Sequence, residues 1–82
     1  MQVDPTPNPN AVKFTVGKPV GGPATFVTSQ PTDNEMASEL LALPGVTSVF
    51  LTADFVTISK TEEADWSEII GSATDILTDY FD

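Results

Sequence analysis

Leu40-Leu41-Ala42-Leu43-Pro44-Gly45-Val46-Thr47-Ser48-Val49-Phe50-Leu51-Thr52-Ala53-Asp54-Phe55-Val56-Thr57-Ile58-Ser59-Lys60 contains a helix end, a Pro-Gly break, a strand, a tight turn and a second strand. Pro44 lacks an N–H and biases Leu43 away from helical backbone, so the helix stops there. Gly45 turns the chain into a strand over 46–51. Thr52-Ala53-Asp54 is short enough to make Phe55–Lys60 its antiparallel hairpin partner. Val49 and Leu51 point to one face with Phe50 opposed, and Val56 and Ile58 oppose Phe55. Apolar groups therefore fall on both faces of the hairpin, which predicts a helix over one face and the N-terminal arm or a partner over the other.

Upstream of this stretch, Met36, Ala37, Leu40 and Leu41 recur at helical spacing and predict a helix over 35–43 that packs one stripe on a sheet. It starts either at an Asn34 cap or at the capping box Thr32-Asp33-Asn34-Glu35. Residues 1–10 hold three prolines and two asparagines, an extended and irregular arm that leads towards a sheet edge. In 11–16, Val12, Phe14 and Val16 alternate with Lys13 and Thr15, the period of a half-buried strand. Residues 17–23 are too rich in Gly and Pro for regular structure, and 24–28 reads as a short second strand, antiparallel to the first. Downstream, Asp65 and Glu68 signal a helix start. Trp66, Ile69, Ile70, Ala73, Ile76, Leu77, Tyr80 and Phe81 then form one long apolar stripe. The predicted fold is α+β: a two-layer sandwich in the order β-β-α-β-β-α, with a mostly antiparallel four-stranded sheet and both helices on one face.

Eighty-two residues predict a single domain over 1–82, because a chain this short buries only about 60% of its unfolded surface and has no room for a second core. There is no cysteine, so stability must come from packing rather than disulfides. No apolar run approaches the roughly 20 residues that span a bilayer, and the first residues lack a leader's basic and apolar regions. A soluble, cytoplasmic monomer is the expectation. Twelve acids against three lysines and no arginine give a net charge of −9, which repels nucleic acid and anionic membranes. Such a surface is read first as solvation, then as tolerance of high salt, and last as a face for a basic partner.

The absence of histidine and cysteine excludes Ser-His-Asp and Cys-His nucleophiles, the usual zinc ligand sets and thiolate-held iron–sulfur clusters. Gly17-Lys18 lacks the spacing of a phosphate-binding loop, and Gly21-Gly22 opens no helix. Carboxylates remain: Glu62, Glu63 and Asp65 suit a helix start through its dipole, and a hard cation would need several further oxygens in a fixed cage. A small-ligand or hard-cation binder is thus one alternative, and a structural protein unrelated to clusters is another. Trp66 and Phe55 read as core aromatics. Phe50, opposed to the Val49 and Leu51 face, is a natural contact point if exposed.

The run Thr6-Pro7-Asn8-Pro9-Asn10-Ala11-Val12-Lys13-Phe14 resembles the opening of the Nfu/NifU-type scaffold N-terminal domain. Asn34-Glu35-Met36-Ala37, Leu40-Leu41, Leu43, Gly45-Val46, Val49-Phe50, Asp54-Phe55-Val56-Thr57-Ile58 and Lys60 follow that family's pattern, and Trp66 falls at its tryptophan. Asn34-Glu35 replaces Ser-Pro and Leu41 replaces the common Phe. Longer members carry a separate C-terminal domain whose Cys-x-x-Cys assembles an iron–sulfur cluster. The present residues contain no such motif. The resemblance therefore implies a non-catalytic module of iron–sulfur cluster assembly or delivery that holds no cofactor and no metal. It would act by contact with an assembly component or client apoprotein. Asn8, Asn10 and Asp54 are polar positions within the matching motifs and, with Phe50, are the candidate contact residues. For the three polar ones the competing role is to shape a strand entry and a hairpin turn.

Overall fold

The computed structural model describes residues 2–81. Its centre is the expected hairpin, β4 (Val46–Thr52) against β5 (Phe55–Lys60), paired from Thr52 with Phe55 to Val46 with Lys60. The two-residue connection puts Ala53 at φ 50°, the positive-φ geometry that primed hairpin turns require. On either side the hairpin recruits further strands, giving the order β1-β2-β5-β4-β3, antiparallel at every pairing. Here β1 is Gln2–Pro5, β2 is Ala11–Thr15 and β3 is Ala24–Val27.

Two expectations are corrected. The sheet has five strands rather than four, because part of the proline-rich arm pairs with β2 as an edge strand. Pro5 is tolerated at the end of that edge, where a missing donor breaks no ladder. Nor do β2 and β3 pair with each other: β2 lies between β1 and β5, and β3 takes the opposite edge beside β4. Residues 16–23 are not a hairpin loop but a strap over the β4–β5 turn. The amides of Val16 and Gly17 donate to the Asp54 carbonyl at 2.9 and 3.4 Å, and that of Val20 donates to Ala53 at 3.0 Å.

Asn34 caps α1 (Glu35–Leu41), its Oδ1 accepting the Ala37 amide at 3.0 Å, so the start lies at Asn34. The helix ends two residues sooner than expected, and the amides of Ala42 and Leu43 close its last turn on Ser38 and Leu40. The second helix, α2 (Trp66–Phe81), begins at Asp65, whose Oδ1 accepts the Ser67 amide at 2.9 Å. That backbone hydrogen bond holds the Asp65 carboxyl below its ordinary range, with a smaller contribution from the Lys60 charge.

Both helices pack on one face of the sheet. Val12, Ile58 and Val49 make one buried row there and Phe14, Val56 and Leu51 the next, and Met36, Leu40, Ile69, Ala73 and Leu77 close over them. The buried stripe of α2 is narrower than the sequence suggests: Ile69, Ala73 and Leu77 are buried, Trp66, Ile70, Ile76 and Phe81 only partly, and Tyr80 is exposed.

Candidate protein-interaction surface

The opposite face of the sheet is formed by the alternate residues of the same strands. Register aligns Asp4, Lys13, Thr57, Phe50 and Thr25 across all five strands, with Gln2, Thr15, Phe55 and Thr52 in the neighbouring row. No helix residue contributes to this side, since the buried faces of α1 and α2 meet the other. Phe50 is 37% exposed in the middle of it. Phe55, expected in the core, lies half-buried on this face instead, its ring capped by Lys13 with Nζ 4.3 Å from the centroid. Phe50 and Phe55 are diagonal neighbours across the hairpin, a spacing within reach of aromatic side chains. The result is an aromatic centre in a threonine-rich, nearly neutral surface.

The four candidate residues do not form one cluster. Asn8 and Asn10 lie in the β1–β2 connection, at the Lys60 end of β5, and Asp54 lies in the turn at its other end. Phe50 stands between them. Asn8 shapes the connection: its Oδ1 accepts the Asn10 amide at 2.8 Å and its amide donates to the Thr6 hydroxyl at 3.1 Å. Asn10 ties the connection to the sheet, accepting the Lys60 amide at its carbonyl (2.8 Å) and the Lys60 ammonium at Oδ1 (3.1 Å). Trp66 completes this junction by donating from Nε1 to the Pro9 carbonyl at 3.0 Å, with Lys60 Nζ 5.6 Å from its ring. Its indole thus joins the start of α2 to the N-terminal connection, a role that helical periodicity does not disclose. Asp54 holds the strap through its carbonyl and leaves an exposed carboxylate.

The helical layer is electrostatically different. Glu35 and Glu39 on α1 and Glu68, Asp75 and Asp79 on α2 are exposed, and neither helix carries a lysine. Beside Glu35, Tyr80 donates from its hydroxyl to Oε2 at 3.2 Å. Loss of hydration, followed by hydrogen bonds and charge from Glu39 and Glu35, pushes the phenol up to about 12. Among the described residues no three carboxylates are grouped so as to hold a metal ion, Glu62, Glu63 and Asp65 included. No helix among the described residues is long and apolar enough to cross a membrane.

These features define a two-layer α+β domain with one helix-covered sheet face and one bare face centred on phenylalanine. The chain belongs to the family described as Scaffold protein Nfu/NifU N terminal, whose model matches residues 1–82. It is 36% identical over 85 residues to the human protein named NFU1 iron-sulfur cluster scaffold homolog, mitochondrial, covering 99% of this chain and 34% of that one. It is 32% identical over 84 residues to NifU-like protein 5, mitochondrial, of Arabidopsis thaliana, covering 99% and 30%. The chain thus spans about a third of the length of these curated relatives. Among solved structures, a NifU-like protein from Saccharomyces cerevisiae superposes with a TM-score of 0.85 at 26% identity, covering 95% of this chain and 74% of that one. A Staphylococcus aureus protein superposes with a TM-score of 0.75 at 26% identity, covering 93% and 94%.

Proposed function

We propose that this chain is a non-catalytic protein-interaction module of iron–sulfur cluster assembly or delivery, and that it does not itself hold a cluster. The observation that supports the reading is the bare sheet face with Phe50 at its centre, in a family whose relatives are named as cluster scaffolds. An aromatic ring on an open, weakly charged sheet is the kind of anchor on which protein contacts concentrate. Asn10 at one end of this face and Asp54 at the other mark its extent, with Asn8 beside Asn10.

An iron–sulfur cluster does not fit the donor set of this chain. Such clusters are held by thiolates, with imidazole as the usual replacement, and the sequence has neither cysteine nor histidine. The module therefore acts through shape and surface, with an assembly component or a client apoprotein as its partner. It works as a single-domain monomer in the cytoplasm. The relatives' names place those proteins in mitochondria, and fractionation of the host cell separates the two locations.

Affinity capture from the native host with the wild-type chain and Phe50→Ala tests the reading. The wild type retains a cluster-assembly component or client, and Phe50→Ala lowers recovery about tenfold, as loss of a central aromatic anchor does. Wild-type capture of neither class of protein refutes the proposal. So does a purified, tag-free chain that carries a stoichiometric coloured iron cofactor.

A further inference from the structure

The sheet has two edges, and they are not alike. At one, β1 carries Asp4 and ends in Pro5, a charge and a missing donor of the kind that keeps an edge from pairing with another chain. At the other, β3 reads Ala24-Thr25-Phe26-Val27, with no charge and no proline, and all but Ala24 are β-branched or aromatic. Its register on β4 continues at Thr28, whose amide donates to the Thr47 carbonyl at 3.1 Å. Antiparallel strands alternate the direction of their backbone groups, so Ala24 and Phe26 turn theirs towards β4 while Thr25 and Val27 turn theirs away. The Val27 carbonyl is taken by the Gln30 amide at 3.1 Å. That leaves the Thr25 N–H, the Thr25 C=O and the Val27 N–H aimed out of the sheet, with no backbone partner among the described residues.

These three groups match one kind of ligand, an extended backbone. A strand laid antiparallel on β3 exchanges two hydrogen bonds with Thr25 and offers one carbonyl to Val27. The side chain opposite Thr25 then lies on the bare sheet face, in the row that holds Thr25, Phe50 and Thr57. The open edge and the exposed phenylalanine thus form one continuous surface.

We propose that β3 is where a protein partner adds a strand: an extended, uncharged segment, rich in β-branched residues, of the partner that contacts Phe50. This rests on the reading of the chain as an interaction module and supplies its mode of binding. The edge selects the occupant. Unpaired backbone groups take a strand in preference to a helix, β3 offers no charge for an ionic segment to answer, and the row shared with Phe50 joins the edge to the proposed contact. A second copy of the chain fits less well. Two molecules at net charge −9 repel, and a four-residue edge buries far less than the roughly 1,200 Å² of a stable interface.

Amide hydrogen exchange and chemical shifts of the isotope-labelled chain test this, with the net-neutral peptide Lys-Thr-Val-Thr-Val-Thr-Glu as the probe. In the free chain the Thr25 and Val27 amides exchange at least about tenfold faster than that of Phe26, which is bonded to β4. Peptide at a few times an affinity of about 1 mM slows both amides by at least about twofold, and the shifts centre on β3. The same peptide N-methylated at its four central amides keeps the side chains, loses the donors and protects neither amide. Thr25→Pro removes one outward donor at an edge that tolerates proline and weakens peptide binding about tenfold; the methylated peptide makes the same test on the unaltered chain. Equal protection by the methylated peptide, shifts centred away from β3, or no protection at Thr25 and Val27 overturns strand addition. Protection that grows with the chain's own concentration assigns the edge to a second copy and overturns it as well. If host capture needs Phe50 but survives Thr25→Pro, the edge is wrong and the interaction module stands.

Discussion

Gly45 is a position where one added methyl group acts strongly on the fold. It sits at φ +89°, where an L-residue is strained, and a Cβ there would be driven into the Ala64 Cβ, well inside van der Waals contact. The backbone cannot easily retreat, because the Gly45 carbonyl accepts the Thr61 amide at 2.8 Å, joining the start of β4 to the link before α2. Gly45→Ala therefore combines a left-handed backbone cost of about 1–2 kcal/mol with overpacking of about 1–3 kcal/mol. Together these amount to about 2–5 kcal/mol, against a total stability on the order of 4–12 kcal/mol for a chain of this length. Thermal unfolding followed by circular dichroism should show a drop of at least about 10 °C. The double variant Gly45→Ala, Ala64→Gly separates the two parts: it recovers the steric share and leaves the backbone share. A midpoint unchanged by Gly45→Ala refutes the reasoning outright, and a full rescue by Ala64→Gly refutes the backbone part.

The narrowed stripe of α2 gives a second expectation. Leu77→Ala, at a fully buried site, costs about 2–5 kcal/mol in denaturant unfolding, whereas Ile76→Ala, at a partly buried one, costs about half as much or less; equal losses would contradict the packing. Raising the Tyr80 phenol to about 12 means that the native state keeps a proton the unfolded chain releases from its ordinary value of 10. This contribution is complete below pH 10 and is lost as pH rises towards 12, so the denaturant midpoint should fall more steeply across that window in the wild type than in Tyr80→Phe. Screening of the carboxylate excess should raise the thermal midpoint from low to molar salt. A flat response would argue against tolerance of high salt as the reason for the acidic surface.

What the sequence discloses is what depends on neighbours along the chain. The hairpin, the Asn34 cap, the Pro44 stop and the period of α2 each follow from residues within a few positions of one another. The hairpin, the cap and the helical period of α2 appear where they are expected, although α1 already ends at Leu41, two residues before the stop that Pro44 predicts, and fewer of the α2 stripe are buried. Strand partners are decided at long range, and there the expectations fail. Proline content marks the arm as irregular, yet Gln2–Pro5 needs only a sheet edge to pair, and an edge tolerates Pro5. The Gly- and Pro-rich 17–23 segment looks like a short connection between neighbours, whereas its amides bind the β4–β5 turn and carry the chain to the far edge. Phe55 alternates correctly against Val56 and Ile58, but its burial depends on whether anything covers that face. Lys13 covers its ring, and Phe55 stays half-buried.

The two sides of the molecule differ because the same strands must satisfy two solvents. On the helical side the core is complete, so the outward helix positions are released from packing and carry acids with no lysine between them. On the sheet side no helix among the described residues covers the strands, and threonine is the commonest residue of the two aligned rows because it suits a pleated, half-exposed surface. Phe50 departs from that logic. A threonine would serve the strand equally well and would not leave a ring 37% exposed beside Thr25 and Thr57. Phe55 has Lys13 to shield it, so its exposure is partly relieved within the fold. Among the described residues no cation caps Phe50, and the proposed contact therefore centres on this residue rather than on the asparagines that the fold already employs.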